Sequence, residues 1–216
     1  MRRVGRLHIL TDTTLQDRYD HEGLARLALE GGSDTIQFRD KSASTRELIR
    51  IARGLSEICR RAGVPLIVND RVDVAMAADA AGVHLGQSDF PISLARQMLG
   101  PDRIIGGSAT TLEEATEVMW AGADYVGLGP VFGTDSKPDA KVAIGLERLR
   151  EVAAALEIPV VAIGGIGIPQ VSDILATGAH GIALIQAVVL AADPKAATAG
   201  LKAAIDAALP GDGTHA

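Results

Sequence analysis

Short apolar runs recur along the chain of 216 residues, separated by longer stretches in which apolar residues return every three or four positions. Runs of this length predict buried β-strands, and the intervening period predicts amphipathic helices. Because strands alternate with helices, we expect parallel pairing with right-handed crossovers. The predicted strands are 6–12, 34–40, 65–70, 82–87, 103–109, 124–129, 159–165 and 181–187. The predicted helices include 45–62, 111–121, 146–156 and 194–208.

Eight strands and about eight helices predict an α/β fold, a single compact (β/α)8 TIM barrel. We expect this one domain to cover residues 1–209, and the tail 210–216 to be disordered. An open, doubly wound sheet is the alternative. It is disfavoured because the segment "TDTTLQD", after the first strand, lacks the glycine-rich dinucleotide fingerprint.

Composition narrows the class of protein. Hydrophobic residues make up 47% of the chain and charged residues 22%, a balance typical of a globular domain. The formal net charge of −6 argues against nucleic acid or an anionic membrane as a partner. Cys59, the one cysteine, is expected to be a small core residue. With neither a signal-peptide pattern nor a membrane-length apolar segment, the sequence predicts a cytoplasmic protein.

Functional residues of such a barrel collect where the strands end. In "IQFRDK", side-chain alternation puts Gln37, Arg39 and Lys41 on one face of the strand. Two cations at the barrel mouth need an anion nearby. That anion is either a bound phosphate or a protein carboxylate, for which Asp12, Asp70 and Asp89 are candidates, and both interpretations stay open.

Two carboxylates lie at neighbouring strand exits. Asp70 follows Asn69 at the end of one strand, and Asp89 comes shortly after the next. Carboxylate and amide oxygens are ligands that Mg²⁺ prefers, often together with substrate phosphates. Because both aspartates precede helical segments, N-capping is the alternative role for each.

Two further segments suit phosphate binding. The glycines of "AIGGIG", at 162–167, offer backbone N–H groups where barrels often bind phosphate, although they also permit a tight turn. The long polar connection 129–145 carries Thr134, Ser136 and Lys137, which suit a lid over a phosphate. A solvated loop is the alternative role of that connection.

Several motifs in order carry a resemblance over about the whole chain. They are "LHILTD", "IQFRDK", "VNDRVDVA", "GVHLGQSD", "GGSATTLEEA", "AGADYVGLGPVFGTDSK", "AIGGI" and "HGIALIQA". With these motifs the chain resembles the thiamine-phosphate synthase family. The resemblance implies a (β/α)8 barrel that joins hydroxymethylpyrimidine diphosphate to a thiazole phosphate. It further implies Mg²⁺ as cofactor and the release of diphosphate by dissociative substitution.

The resemblance also implies a role for each matching residue. The pyrimidine diphosphate would be held by Gln37, Arg39, Lys41, Asn69, Ser108 and Lys137. The thiazole phosphate would be received by Thr134, Ser136, Gly165, Ile185 and Gln186. Asp70 and Asp89 would bind the metal, and Lys137, Ser108, Arg39 and Lys41 would carry the catalysis.

The chain departs from the family pattern at three positions. Gly133 stands for a proline, Ser136 for a threonine and Gln186 for a serine, which leaves recognition of the thiazole phosphate open. A sister family of thiazole tautomerases is one alternative, but this chain has Pro130 where their catalytic histidine stands. A non-catalytic, ligand-binding regulatory paralogue is the other. The partners expected are small molecules, and the sequence allows a homo-oligomer.

Overall fold

The computed structural model describes residues 4–133 and 142–209, which form a closed barrel of eight parallel strands in sequential order. The prediction of a (β/α)8 barrel is confirmed, and each predicted strand contains an observed one. The strands are β1 (Leu7–Thr11), β2 (Thr35–Phe38), β3 (Leu66–Asn69), β4 (Gly82–Leu85), β5 (Ile104–Ala109), β6 (Tyr125–Leu128), β7 (Val160–Ile163) and β8 (Gly181–Leu184). Because all strands are parallel, their carboxyl ends meet at one mouth of the barrel.

Helices follow the strands along the chain. They are α1 (His21–Glu30), α2 (Thr45–Ala62), α3 (Val72–Ala77), α4 (Ile92–Leu99), α5 (Leu112–Trp120), α6 (Gly145–Ala155), α7 (Val171–Leu175), α8 (Gln186–Val189) and α9 (Pro194–Ala208). No helix within 4–133 and 142–209 has both the length and the apolarity needed to cross a lipid bilayer.

Two apolar cores hold the barrel together. The larger lies between sheet and helices, where outward strand residues such as Ile36, Phe38 and Val126 meet the helices. The second contains alternate strand residues such as Leu10 and Tyr125, which by alternation fill the barrel interior. The polar side chains nearer the mouth therefore lie directly above a packed apolar interior.

Candidate active site

Arg39 leaves β2 at the mouth and is only 7% exposed. Its guanidinium forms a buried ion pair with Asp12 at the end of β1. The other oxygen of Asp12 accepts hydrogen bonds from the backbone N–H and the hydroxyl of Thr14, at 3.0 and 2.6 Å. The sequence left two candidate anions for Arg39, a bound phosphate or a protein carboxylate. The structure shows a carboxylate, that of Asp12, in contact with it. A guanidinium has several N–H donors, so one carboxylate does not exhaust its capacity.

Gln37 and Asn69 join β2 to β3 through their side chains. The Gln37 amide N–H donates to Asn69 Oδ1 at 2.8 Å, and the Gln37 side chain is buried. This bond fixes the orientation of both amides at the strand ends. The structure thus brings together two residues predicted to bind the pyrimidine substrate.

Asp70, Asp89 and Lys41 form a charged cluster beside these amides. Lys41 Nζ lies 3.4 Å from Asp70 Oδ2, and Asp89 Oδ2 accepts from the Gly86 N–H at 2.7 Å. Burial raises the pKa of Asp70, and the adjacent Asp89 carboxyl raises it further, while the Lys41 ammonium opposes the rise. Two carboxylates this close repel each other when both are ionised. A divalent cation would relieve that repulsion.

The alternative role of Asp70 and Asp89 as helix caps is wrong. The N-cap of α3 is Arg71 and that of α4 is Pro91, and neither makes a side-chain capping bond. Asp70 instead takes a left-handed backbone conformation, with φ 64°. Its carboxylate is thereby free of any helix-capping role and lies beside Asp89 and Lys41.

The Asp70 and Asp89 carboxylates suit Mg²⁺ when a substrate supplies further ligands. In the part of the chain that the structure describes, no group of three or more His, Cys, Asp or Glu side chains could hold a metal. A dedicated protein cage is therefore absent there, but Mg²⁺ commonly takes one or two carboxylates, waters and substrate phosphates. The Asp70–Asp89 pair supplies that kind of partial site.

Ser108, at the end of β5, is fixed from two sides. Its hydroxyl lies 2.9 Å from His84 Nε2, and its backbone carbonyl accepts from the Gln87 side chain at 2.6 Å. Sequence reasoning missed the contact with His84. Strand alternation was the available signal, since Asn69 and His84 are register partners and therefore face the same side.

The exits of β7 and β8 carry the backbone groups that were predicted to bind a phosphate. Gly164 and Gly165 have φ values of 100° and 64°, which favour glycine. A Cβ on Gly165 would lie 2.4 Å from the Gly133 carbonyl oxygen, so the start of the long connection packs directly on the glycine pair. Ile185 is buried, and Gln186 begins α8 immediately after β8.

Every described residue that was predicted for the site either follows the carboxyl end of a strand or is one of the last two residues of that strand. These residues are Gln37, Arg39, Lys41, Asn69, Asp70, Asp89, Ser108, Gly165, Ile185 and Gln186. Thr134, Ser136 and Lys137 lie outside the described residues. The mouth therefore offers cations, carboxylates, amides and a hydroxyl, which suit an anionic substrate that binds with a metal ion.

Comparison with known proteins identifies the family. A family model described as thiamine monophosphate synthase matches residues 7–188. The chain belongs to this family. It is 50% identical over 206 residues to the thiamine-phosphate synthase of Salinibacter ruber, a match that covers 95% of this chain and 91% of the relative. It is 48% identical over 200 residues to that of Chloroflexus aurantiacus, covering 93% and 92%.

A solved structure agrees with this assignment. Thiamine phosphate pyrophosphorylase from Pyrococcus furiosus superimposes with a TM-score of 0.86 at 43% identity. The match covers 95% of this chain and 97% of that one. The resemblance stated from the motifs is confirmed, and these relatives lend no support to the tautomerase or the regulatory paralogue.

Proposed function

We propose that the chain is a Mg²⁺-dependent transferase that joins hydroxymethylpyrimidine diphosphate to a thiazole phosphate, giving thiamine phosphate and diphosphate. The observation that carries the proposal is the cluster of Lys41, Asp70 and Asp89 beside Arg39 and Ser108 at one barrel mouth. This cluster occurs in a chain that is 50% identical to a curated thiamine-phosphate synthase over almost its full length.

The pyrimidine substrate would lie over β2, β3 and β5. The Gln37 and Asn69 amides are joined by a hydrogen bond, with Gln37 buried and Asn69 half-buried, which suits recognition of a planar polar ring. Arg39, Lys41 and Ser108 would contact the diphosphate, together with Lys137, which lies outside the described residues. Asp70 and Asp89 would hold Mg²⁺, which when bound neutralises charge on the leaving diphosphate.

The reaction that the family resemblance implies makes modest demands on the protein. Breaking the bond to diphosphate needs stabilisation of the anion that leaves, and the mouth supplies cations and hydrogen-bond donors in a fixed arrangement. Capture of the pyrimidine cation by the thiazole nitrogen needs only a second substrate that is already aligned. No strong protein base or nucleophile is required by this scheme.

The thiazole phosphate would bind at the exits of β7 and β8. The backbone N–H of Gly165 and the Ile185–Gln186 segment at the start of α8 are the described groups assigned to it. Thr134 and Ser136, outside the described residues, complete the assignment by resemblance. Action on small molecules in the cytoplasm, with residues 1–209 as one domain, stays a prediction.

The direct test is formation of thiamine phosphate by the purified protein from both substrates, with Mg²⁺ and with EDTA. We expect metal-dependent product, and a fall of about 10²- to 10³-fold in kcat for Asp70→Ala and for Lys137→Ala. Lys195 lies on α9 in an exposed ion pair with Glu30 of α1, so Lys195→Ala is the matched control and should keep full activity. Binding of both substrates without product, or Asp70→Ala at full activity, would overturn the proposal.

A further inference from the structure

A hydrogen-bonded chain runs from the barrel interior to Ser108. The Tyr125 hydroxyl, on β6, lies 2.9 Å from His84 Nδ1, and His84 Nε2 lies 2.9 Å from Ser108 Oγ. Tyr125 is 1% exposed, whereas His84 and Ser108 are partly exposed toward the mouth. The imidazole thus connects a buried phenol with the hydroxyl that we assign to the diphosphate.

Two glycines make room for this chain. A Cβ on Gly106 would lie 2.2 Å from Tyr125 Cζ and 2.5 Å from His84 Nδ1. A Cβ on Gly127 would lie 2.9 Å from His84 Cε1. Both glycines share the inward face of their strands with Ser108 and Tyr125 respectively, so the interior holds the imidazole and the phenol ring only because these side chains are absent.

The surroundings of Tyr125 decide the direction of the hydrogen bonds. Burial raises the pKa of the Tyr125 phenol, so it keeps its proton. The ring of His8 lies edge-on at 5.4 Å from the Tyr125 ring, and burial lowers the pKa of His8 to about 4, which leaves that imidazole neutral. A buried phenol O–H needs an acceptor. Within the described residues, its hydrogen-bond partner is His84 Nδ1.

If Nδ1 accepts from Tyr125, neutral His84 carries its proton on Nε2 and donates it to Ser108 Oγ. Ser108 then accepts inside the protein, and its own O–H is directed to another acceptor. In the opposite tautomer, the Ser108 hydroxyl would donate its hydrogen bond to His84 Nε2 and could only accept a hydrogen bond from a ligand. For an anionic diphosphate, only the first arrangement is useful.

We propose that His84 and Tyr125 are positioning residues that hold Ser108 as a hydrogen-bond donor toward the diphosphate. The inference rests on the proposed function for its ligand, but the tautomer itself does not. His84 acts through Ser108, and Tyr125 acts through His84. Partners of this indirect kind typically cost about 10- to 100-fold in activity when they are removed.

The first experiment measures the tautomer without any substrate. Two-dimensional ¹⁵N–¹H NMR of ¹⁵N-histidine-labelled protein, with His84→Gln used to assign the signals, separates protonated from unprotonated ring nitrogens. We expect the proton of His84 on Nε2 in the wild type and a mixture of tautomers in Tyr125→Phe. A wild-type proton on Nδ1 would overturn the proposal whatever the enzyme's activity.

The second experiment measures kinetics in a double-mutant cycle. Tyr125→Phe removes one oxygen that is buried away from the mouth, and Tyr19→Phe removes the same atom from the chain's other tyrosine as a control. We expect Tyr125→Phe to lower kcat about 10-fold with KM little changed, and to have no further effect in a Ser108→Ala background. Tyr19→Phe should behave as wild type.

The possible failures are distinguishable. An equal loss from Tyr125→Phe with and without Ser108 would mean that the phenol acts on packing, which would overturn the positioning role. A wild-type protein that shows the Nε2 tautomer but makes no thiamine phosphate would remove the proposed function and leave the hydrogen-bond direction intact. If Tyr125→Phe does not fold, the wild-type NMR measurement still decides the direction.

Discussion

The ion pair of Arg39 and Asp12 is deeply buried at the mouth, with side-chain exposures of 8% and 1%. Removing one partner leaves a charge without compensation in a poorly solvated place. We therefore expect Asp12→Ala to destabilise the fold by about 3–5 kcal/mol, as measured by urea unfolding. The loss should greatly exceed that of any exposed ion pair in the chain.

The matched control for this prediction is Lys195→Ala. Lys195 and Glu30 lie 2.9 Å apart, but both side chains are about half exposed, so water screens the pair. The unfolding midpoint should hardly move. Similar unfolding midpoints for Asp12→Ala and Lys195→Ala would show that Asp12 contributes no more to stability than a residue of an exposed ion pair.

Because burial and the adjacent Asp89 raise the pKa of Asp70, we expect its ionised carboxylate to disfavour the metal-free fold, so that Asp70→Asn stabilises the protein by about 0.5–2 kcal/mol at neutral pH. An acid whose pKa is raised on folding binds protons more tightly in the folded state. Its ionisation therefore lowers stability as the pH rises from the ordinary pKa of an aspartate toward the raised pKa of Asp70. Asparagine also tolerates the left-handed φ of 64°. The gain should vanish below the ordinary pKa of an aspartate, where both states are protonated.

Urea unfolding in EDTA at several pH values checks this, with Asp73→Asn as control. The hydrogen bond from Arg71 lowers the pKa of Asp73, so that substitution should reduce stability at neutral pH, the opposite sign. A loss of stability in Asp70→Asn would contradict the prediction. A gain in stability together with loss of activity would show that the carboxylate is kept for function.

At this scale the sequence predicted which residues meet but not how they pair. Alternation put Arg39 and Lys41 on one face, and strand ends put Asp12, Asp70 and Asp89 nearby. Three carboxylates within reach of two cations allow several pairings. The choice depends on side-chain rotamers and loop geometry, such as the left-handed φ of Asp70, which no local pattern encodes.

At the scale of elements, β5 shows how a strand serves two cores. Gly106 faces inward against Tyr125 and His84, while Gly107 faces Val118 on α5. We expect Gly106→Ala to destabilise by about 1–3 kcal/mol through overpacking, and also to lower kcat because the His84 imidazole must move. Thermal unfolding and steady-state kinetics measure the two effects.

Gly133→Ala is the control for this substitution. A Cβ at Gly133 would have no atom of the described residues within 4 Å, so the unfolding temperature of Gly133→Ala should match that of the wild type. Wild-type stability and kcat in Gly106→Ala would mean that the interior accommodates the methyl group without disturbing His84. In that case the glycine would not be required by the imidazole.

Element boundaries were predictable where both ends carry a signal. Predicted helix 45–62 coincides with α2, because Ser44 caps its start and Gly63, in a left-handed conformation, ends it. The short helices α3 and α8 were given no predicted bounds. With six and four residues, they are too short to show a helical period. Tertiary packing decides such elements, and α8 happens to lie at the assigned thiazole phosphate site.

At the scale of the whole molecule, the alternation of strands and helices was sufficient to predict the closed barrel. The absence of a glycine fingerprint after "TDTTLQD" correctly disfavoured the open sheet. The interior chain of Tyr125, His84 and Ser108 was not predicted, because it joins three strands that are separated in sequence. Only the closed register brings those positions together.

The same closure makes Cys59 a probe of global unfolding. Its side chain is 1% exposed on α2, as expected for a core residue, and burial raises the pKa of the thiol to about 12. Since the thiolate is the nucleophile, the folded protein should resist thiol reagents. If residues 4–209 unfold as one unit, the free energy obtained from labelling Cys59 across a urea series should equal that from circular dichroism.

An exposed thiol provides the control, since Ser93→Cys in a Cys59→Ala background puts one on the outer face of α4. That variant should label at once without urea. A labelling free energy at Cys59 well below the value from circular dichroism would mean that α2 opens locally while the rest of the barrel stays folded. Agreement of the two values would support the single-domain prediction, because it would mean that α2, which packs on both α1 and α3, opens only when the rest of the barrel unfolds.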